Sequence, residues 1–136
     1  MKVLVDTSVW SLALRRKKHD TVAKKLTELI LESMVVLIGP IRQELLSGIS
    51  DEDTFLDLKS KLENFDDLPI TTTDYETAAG FFNICRAIGI QGSHTDFLIC
   101  AVAANHGFVI YTTDHDFELF ARHLPIRLYQ PPGDNS

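Results

Sequence analysis

The sequence of 136 residues predicts a single α/β domain, with a central, mainly parallel sheet flanked by helices on both faces. Two observations carry this. Short, almost wholly apolar runs at Lys2–Val5, Val35–Ile38 and Phe108–Tyr111 have the length and β-branching of buried strands. Between them lie longer stretches whose apolar residues recur at helical spacing, as crossover helices between parallel strands require. With 45% hydrophobic residues the chain buries a proper core without needing disulfides or a metal merely to fold. No internal repeat, low-complexity tract or linker interrupts it, so residues 1–130 are expected to form one domain and Pro131–Ser136 a frayed tail.

Taken in order, Lys2–Val5 ends in Asp6-Thr7-Ser8, and Val9–Leu14 continues without Gly or Pro, so a strand hands over directly to a helix. Asp20 is placed as the cap of an amphipathic helix running to Ser33, with Val22, Leu26, Leu29 and Ile30 on one face. After Val35–Ile38, Gly39-Pro40 leads into a helix over Ile41–Leu46 that carries Glu44 one turn in and stops at Gly48. Further helices are read over Ser50–Asn64 and Asp74–Ile88. Asp96 opens the most apolar helix, Phe97–Ala104, closed by Gly107. Phe108–Tyr111 then breaks into Thr112-Thr113-Asp114-His115-Asp116 ahead of a last helix around Phe117–Phe120. Leu68–Ile70 and Ile126–Tyr129 are short strand candidates, Pro69 being tolerable only near an edge.

Cys85 and Cys100 fall within apolar helical patterns and read as reduced core thiols, which suits the cytoplasm. The opening apolar run is too short for a signal peptide, and no stretch approaches the roughly 18 apolar residues of a membrane span.

Ligands of open parallel sheets bind outside the carboxyl ends of the strands. Asp6 and Asp114 follow strands; Glu44 and Asp96 lie in the first turns of helices. Convergence of these four on one rim makes a hard-metal site the leading idea. Each acid also has an ordinary explanation. Ser93 and Asp96 have capping-box spacing, and so do Ser50 and Asp53, Thr73 and Glu76, and Thr113 and Asp116. Glu44 reads equally as a solvated helix residue. Asp6 alone, ending a buried strand with no Lys or Arg beside it, favours function unaided.

The segments Val5–Trp10, Gln43–Gly48, Asp96–Ala103 and Thr112–Phe117, in that order and spacing, resemble the signature of PIN-domain ribonucleases, in particular the VapC-type toxins of toxin–antitoxin pairs. The resemblance runs from Met1 to about Tyr129. It implies an endoribonuclease that cleaves RNA with water activated by Mg²⁺ or Mn²⁺, leaving a 5′-phosphate and a 3′-hydroxyl. Asp6, Glu44, Asp96 and Asp114 become catalytic metal-binding residues, with Asp6 and Asp96 the principal ligands. Asp116 joins them as a further ligand, since family members differ in which acid of the last motif meets the metal. Thr7, Ser8 and Thr112 are expected to orient the carboxylates by hydrogen bonds. The same resemblance implies a homodimer and a small DNA-binding antitoxin as partner.

A net charge of −6 is unusual for an enzyme acting on RNA. Part of it is the acidic cluster itself, which a cation neutralises. The one dense basic tract, Arg15-Arg16-Lys17-Lys18, followed by Lys24 and Lys25, is the candidate for guiding phosphates, with Arg42 and Arg86 as single additions. His94 reads as a loop or capping residue, and Trp10 and the Phe81-Phe82 pair as core or dimer contacts. Two other classes fit strand-end acids: a phosphotransfer domain of receiver or haloacid-dehalogenase type, and a non-catalytic acidic interaction module. The first is disfavoured by Ser8 standing where a haloacid dehalogenase needs a second Asp, and by the lack of a convincing late active-site Lys.

Overall fold

The computed structural model describes residues 1–14 and 21–130. Three parallel strands, β1 (Val3–Val5), β2 (Val35–Val36) and β3 (Val109–Tyr111), form a sheet in the order β2-β1-β3. Helices α1 (Thr7–Leu14) and α2 (Thr21–Leu31) link β1 to β2. Helices α3 (Gly39–Leu46), α4 (Glu52–Leu62), α5 (Thr72–Ala87) and α6 (His94–His106) link β2 to β3, and α7 (Asp116–His123) follows. A chain that steps from a central strand first to one edge and then to the other, each time by a right-handed crossover, leaves helices on both faces.

The strands are short because each gives way at once to a helix or turn at its carboxyl end. Asp6 is both the end of the sheet ladder and the start of α1: its N–H donates to the Tyr111 carbonyl at 2.9 Å, and its own carbonyl accepts from Val9 N–H at 3.1 Å. Val3, Leu4 and Val5 are wholly buried. Helix α6 is apolar all round, as a helix enclosed on every side must be, and Phe97 through Ala103 are all buried. Gly107, in the left-handed region at φ 74°, ends it as expected. Cys85 and Cys100 are free and buried.

Several local expectations are corrected. Leu68–Ile70 and Ile126–Tyr129 are not strands. Pairing shrinks to one bridge beside each, Leu37 with Asp67 and Ile110 with Leu128, Pro69 having no N–H to extend the first. Helix α3 begins at Gly39, taking Pro40 into its first turn, where a missing N–H costs nothing. Of the four capping boxes expected, only Ser93–Asp96 forms. Asp51 rather than Ser50 caps α4, its carboxylate accepting from Thr54 N–H at 2.9 Å. In α5 the box is formed by Thr71 and Asp74, two residues earlier than Thr73 and Glu76. At α7, His115 takes the cap position and makes no side-chain bond there.

The shift in α5 has a tertiary cause. Asp74 is 1% exposed, and its carboxylate accepts from the Thr71 N–H at 3.0 Å and from Asn105 Nδ2 at 2.9 Å, with His106 Nε2 at 3.4 Å. The carboxylate therefore pins the start of α5 to the end of α6, which no exposed acid at Glu76 would do. Burial alone would raise its pKa, but the bonds from Asn105, Thr71 and His106 together outweigh burial and hold it below the ordinary value. A depressed carboxyl stabilises the fold at pH above the unfolded-state value and loses that contribution as pH falls through the folded one. Asp74→Ala is expected to cost about 2 kcal/mol at neutral pH, with the deficit shrinking below about pH 4; urea unfolding across pH checks this. Asp53→Asn and Glu76→Gln should each stay within about 0.5 kcal/mol of the parent.

Candidate metal centre

The carboxyl ends of β1 and β3 and the first turns of α3 and α6 border a groove of about 620 Å³. Asp6, Glu44, Asp96 and Asp114 line it together with Thr7 and Ser8. The four acids singled out by sequence are thus gathered at one rim. Asp116 is not among the lining residues; it opens α7 and is exposed.

Asp6 is 5% exposed, and one of its oxygens, Oδ2, accepts from both Ser8 Oγ and Thr112 Oγ1 at 2.8 Å. Each hydroxyl has a single proton. With both protons directed at Asp6, the hydroxyl oxygens are left to accept, and they do: Ser8 Oγ from Thr113 N–H at 3.1 Å, Thr112 Oγ1 from Asp114 N–H at 3.0 Å. Two relays thus run from the backbone after β3 to a carboxylate after β1. They fix the orientation of the Asp6 carboxylate and tie the two strand ends together.

The other acids are each held by one short bond. Glu44 Oε1 accepts from Thr7 Oγ1 at 2.7 Å. Asp96 Oδ2 accepts from Ser93 N–H at 3.0 Å, while Asp96 N–H donates to Ser93 Oγ at 3.0 Å. Asp114 Oδ1 accepts from Asp116 N–H at 2.9 Å, so Asp116 contributes its backbone to the orientation of Asp114. Burial raises the Asp96 carboxyl, the bonds from Ser93 oppose this, and the charges of Asp6 and Asp114 add to the rise. Cys100, one turn along α6, is pushed up by burial and further by the Asp96 charge, which keeps it an inert thiol.

Among the described residues no Lys or Arg lines the groove to offset these charges. Its donors are carboxylate and hydroxyl oxygens, the chemistry of a hard divalent cation. Among the described residues no three His, Cys, Asp or Glu side chains are drawn up into a ready-made ion cage. Mg²⁺ does not ask for one, since it commonly retains several waters and takes one or two carboxylates. The donor set therefore fits such a cation.

Other sequence candidates fare differently. Arg15, Arg16, Lys17 and Lys18 lie outside the described residues. Arg42 is committed to the fold: its guanidinium bonds Asp67 Oδ1 and the Leu62 carbonyl, each at 2.9 Å, and also the Phe65 carbonyl, closing the end of α4. Trp10 is buried edge-on against Phe65, and Phe81 is in the core. Phe82 is only half-buried and stacks on the exposed ring of His94, a pairing that sequence did not suggest because the two rings belong to different helices. Gln43 and Ser47, one residue before Glu44 and one turn beyond Gln43, also line the groove.

The chain is similar to known proteins in both sequence and fold. A family model of the PIN domain matches residues 3–123. A VapC ribonuclease of Mycobacterium bovis and ribonuclease VapC11 of Mycobacterium tuberculosis are each 32% identical over 124 residues, spanning 88% of this chain and 92% of the relative. Among solved structures, FitAcB from Neisseria gonorrhoeae superposes with a TM-score of 0.76 at 24% identity over 95% of this chain and 97% of that one. VapBC2 from Rickettsia felis, bound to a DNA fragment from its promoter, does so with a TM-score of 0.76 at 17% identity, covering 95% and 98%. No helix among the described residues is long and apolar enough to cross a membrane.

Charge crowding makes a stability test possible. Asp96→Asn keeps an oxygen to accept from Ser93 N–H and removes one negative charge from the group, so without divalent cation its melting temperature should equal or exceed the parent's. A fall of several degrees would mean that the capping bond outweighs repulsion there.

Proposed function

Since the chain belongs to the PIN-domain family, at a level of identity that groups it with VapC ribonucleases, we propose that it is a metal-dependent endoribonuclease acting as the toxin of a toxin–antitoxin pair. The observation that carries this is the set of four oriented carboxylates in one groove with no cationic side chain among the described residues lining it. Asp6 and Asp96 would hold Mg²⁺ or Mn²⁺, with Glu44 and Asp114 as the remaining acids. When bound, the cation supplies activation of water and polarisation of the scissile phosphate.

The protein's own part is positioning. Ser8 and Thr112 keep Asp6 aimed, Thr7 holds Glu44, and Ser93 engages one oxygen of Asp96 and leaves the other available. Asp114 is assigned as the direct participant and Asp116 as the residue whose backbone orients it. Without a cation the acids repel the phosphate, so productive RNA binding at this groove depends on the metal. A phosphotransfer reading is not supported by a Lys, since none of the described ones lines the groove.

Solved neighbours include members of VapBC toxin–antitoxin systems. By that kinship we propose a cognate small antitoxin that offers an Arg or Lys to the acidic groove, a homodimer as the working state, and the cytoplasm as the compartment. An acidic rim is complementary to such a side chain.

Purified protein free of antitoxin should cleave a structured RNA with Mg²⁺ or Mn²⁺ and stop in excess EDTA, leaving 5′-phosphate ends; undiminished cleavage in EDTA would overturn the mechanism. Asp6→Asn and Asp96→Asn should each lose activity by about 100-fold or more, and both should lose the rise in melting temperature that millimolar Mg²⁺ gives the parent. Light scattering at micromolar concentration tests the dimer, and growth rescue on co-expression tests the antitoxin.

A further inference from the structure

A second groove, of about 550 Å³, adjoins the acidic one and shares Pro40 and Thr95 with it. Its chemistry is the opposite of its neighbour's, since among the described residues no acidic or basic side chain other than the imidazole of His94 lines it. The walls come from α5 and the start of α6. Phe82 and His94 stack with ring centroids 5.1 Å apart and planes 17° from parallel. Phe97 meets Phe82 edge-on at 5.6 Å from the core side and backs the pair. Tyr75 is 56% exposed beside it, and the exposed amide of Asn83 supplies both a donor and an acceptor.

We propose that this groove is a nucleobase subsite, stacking the base of a nucleotide next to the scissile phosphate on the His94, Phe82 and Tyr75 rings. The inference rests on the ribonuclease reading and extends it to how the strand is held. A groove of clustered carboxylates repels RNA phosphates, so beside the scissile phosphate contacts to the strand's uncharged parts add to what the cation supplies. Bases are flat, uncharged and one sugar away from the phosphate, and single-stranded RNA is bound by stacking on aromatic side chains. A groove continuous with the acidic rim, aromatic, free of fixed charge and provided with one amide at its margin suits that part of the strand. Sequence placed Phe82 with the core or a dimer contact and His94 in a loop or cap. Their joint stack across two helices is what assigns them a surface role.

The test uses the full chain and a 5′-labelled oligoribonucleotide of mixed sequence, with the cleavage site first mapped. Abasic residues are then placed singly at positions flanking that site. At one position, loss of the base should lower kcat/KM by about fivefold or more, the scale of one stacked base. Tyr75→Ala and His94→Ala should show a similar loss on the intact substrate and little further loss on that abasic one, whereas His94→Phe, which restores a ring, should recover most of the rate. If both variants cleave as the parent does, or if base removal costs the parent and the variants equally, the subsite is wrong. A change in oligomeric state in place of RNA affinity, or loss of antitoxin binding with RNA cleavage intact, assigns the groove to a protein contact and overturns the proposal. Absence of any metal-dependent cleavage by the parent protein would instead remove the ribonuclease reading, and this inference with it.

Discussion

The site depends on satisfying one nearly buried carboxylate, Asp6, at the end of the central strand. A carboxylate removed from water is costly unless hydrogen bonds replace the lost hydration. For Asp6 they come from two hydroxyls, each supplied in turn by a backbone N–H beyond β3. Ser8 is brought there by the first turn of α1 and Thr112 by the end of β3, so the relay exists only while β1 and β3 are paired in register. Sheet pairing and site assembly are in this sense one event. The polar cluster that holds Asp6 also closes the top of the sheet, where a run of apolar side chains would have served stability alone.

Accumulating acids at one rim has consequences beyond that rim. Among the described residues no Lys or Arg lines the groove, and Arg42, on the same helix as Glu44, is turned away to close α4 through Asp67 and two carbonyls. A guanidinium free to reach the groove would neutralise it permanently and compete with any cation. Its engagement with α4 leaves the acidic field open to an exchangeable ion or to a side chain brought by a partner. The adjoining groove, which meets it at Pro40 and Thr95, is lined among the described residues by no Asp, Glu, Lys or Arg.

Much of this architecture was legible in the chain. Buried strands announce themselves by apolar runs too short for helices, and Val3–Val5, Val35–Val36 and Val109–Tyr111 fall inside the runs so identified. The four convergent acids were legible because strand ends and helix starts lie at one edge of a parallel sheet. Other features were hidden because they depend on partners distant in sequence. Thr71, Thr72 and Thr73 offer three near-equivalent starts for α5, and the choice is made by Asn105 and His106 some thirty residues on. The relay through Ser8 and Thr112 spans 104 residues, and the stack of His94 on Phe82 requires knowing which faces of α5 and α6 meet. Composition identifies such residues as polar or aromatic, but only packing assigns their partners.

The two capping boxes that form show what separates structural from functional acids of one local geometry. Asp74 and Asp96 occupy the same third helical position, and each accepts from the N–H of its cap residue at 3.0 Å. Around Asp74 the neighbours are donors, Asn105 and His106, and the carboxyl is held below its ordinary pKa. Around Asp96 the charged neighbours are Asp6 and Asp114, and the carboxyl is raised. Capping therefore accounts for one oxygen in both cases, and the sign of the remaining environment decides the role. Donors complete the Asp74 carboxylate within the fold and leave it nothing further to bind. Like charges leave Asp96 incompletely compensated, in a state that a cation from solution would relieve and that no described residue lining its groove relieves. A spacing rule identifies both acids equally, and the physical distinction between them lies in whether the protein or its ligand supplies the compensating charge.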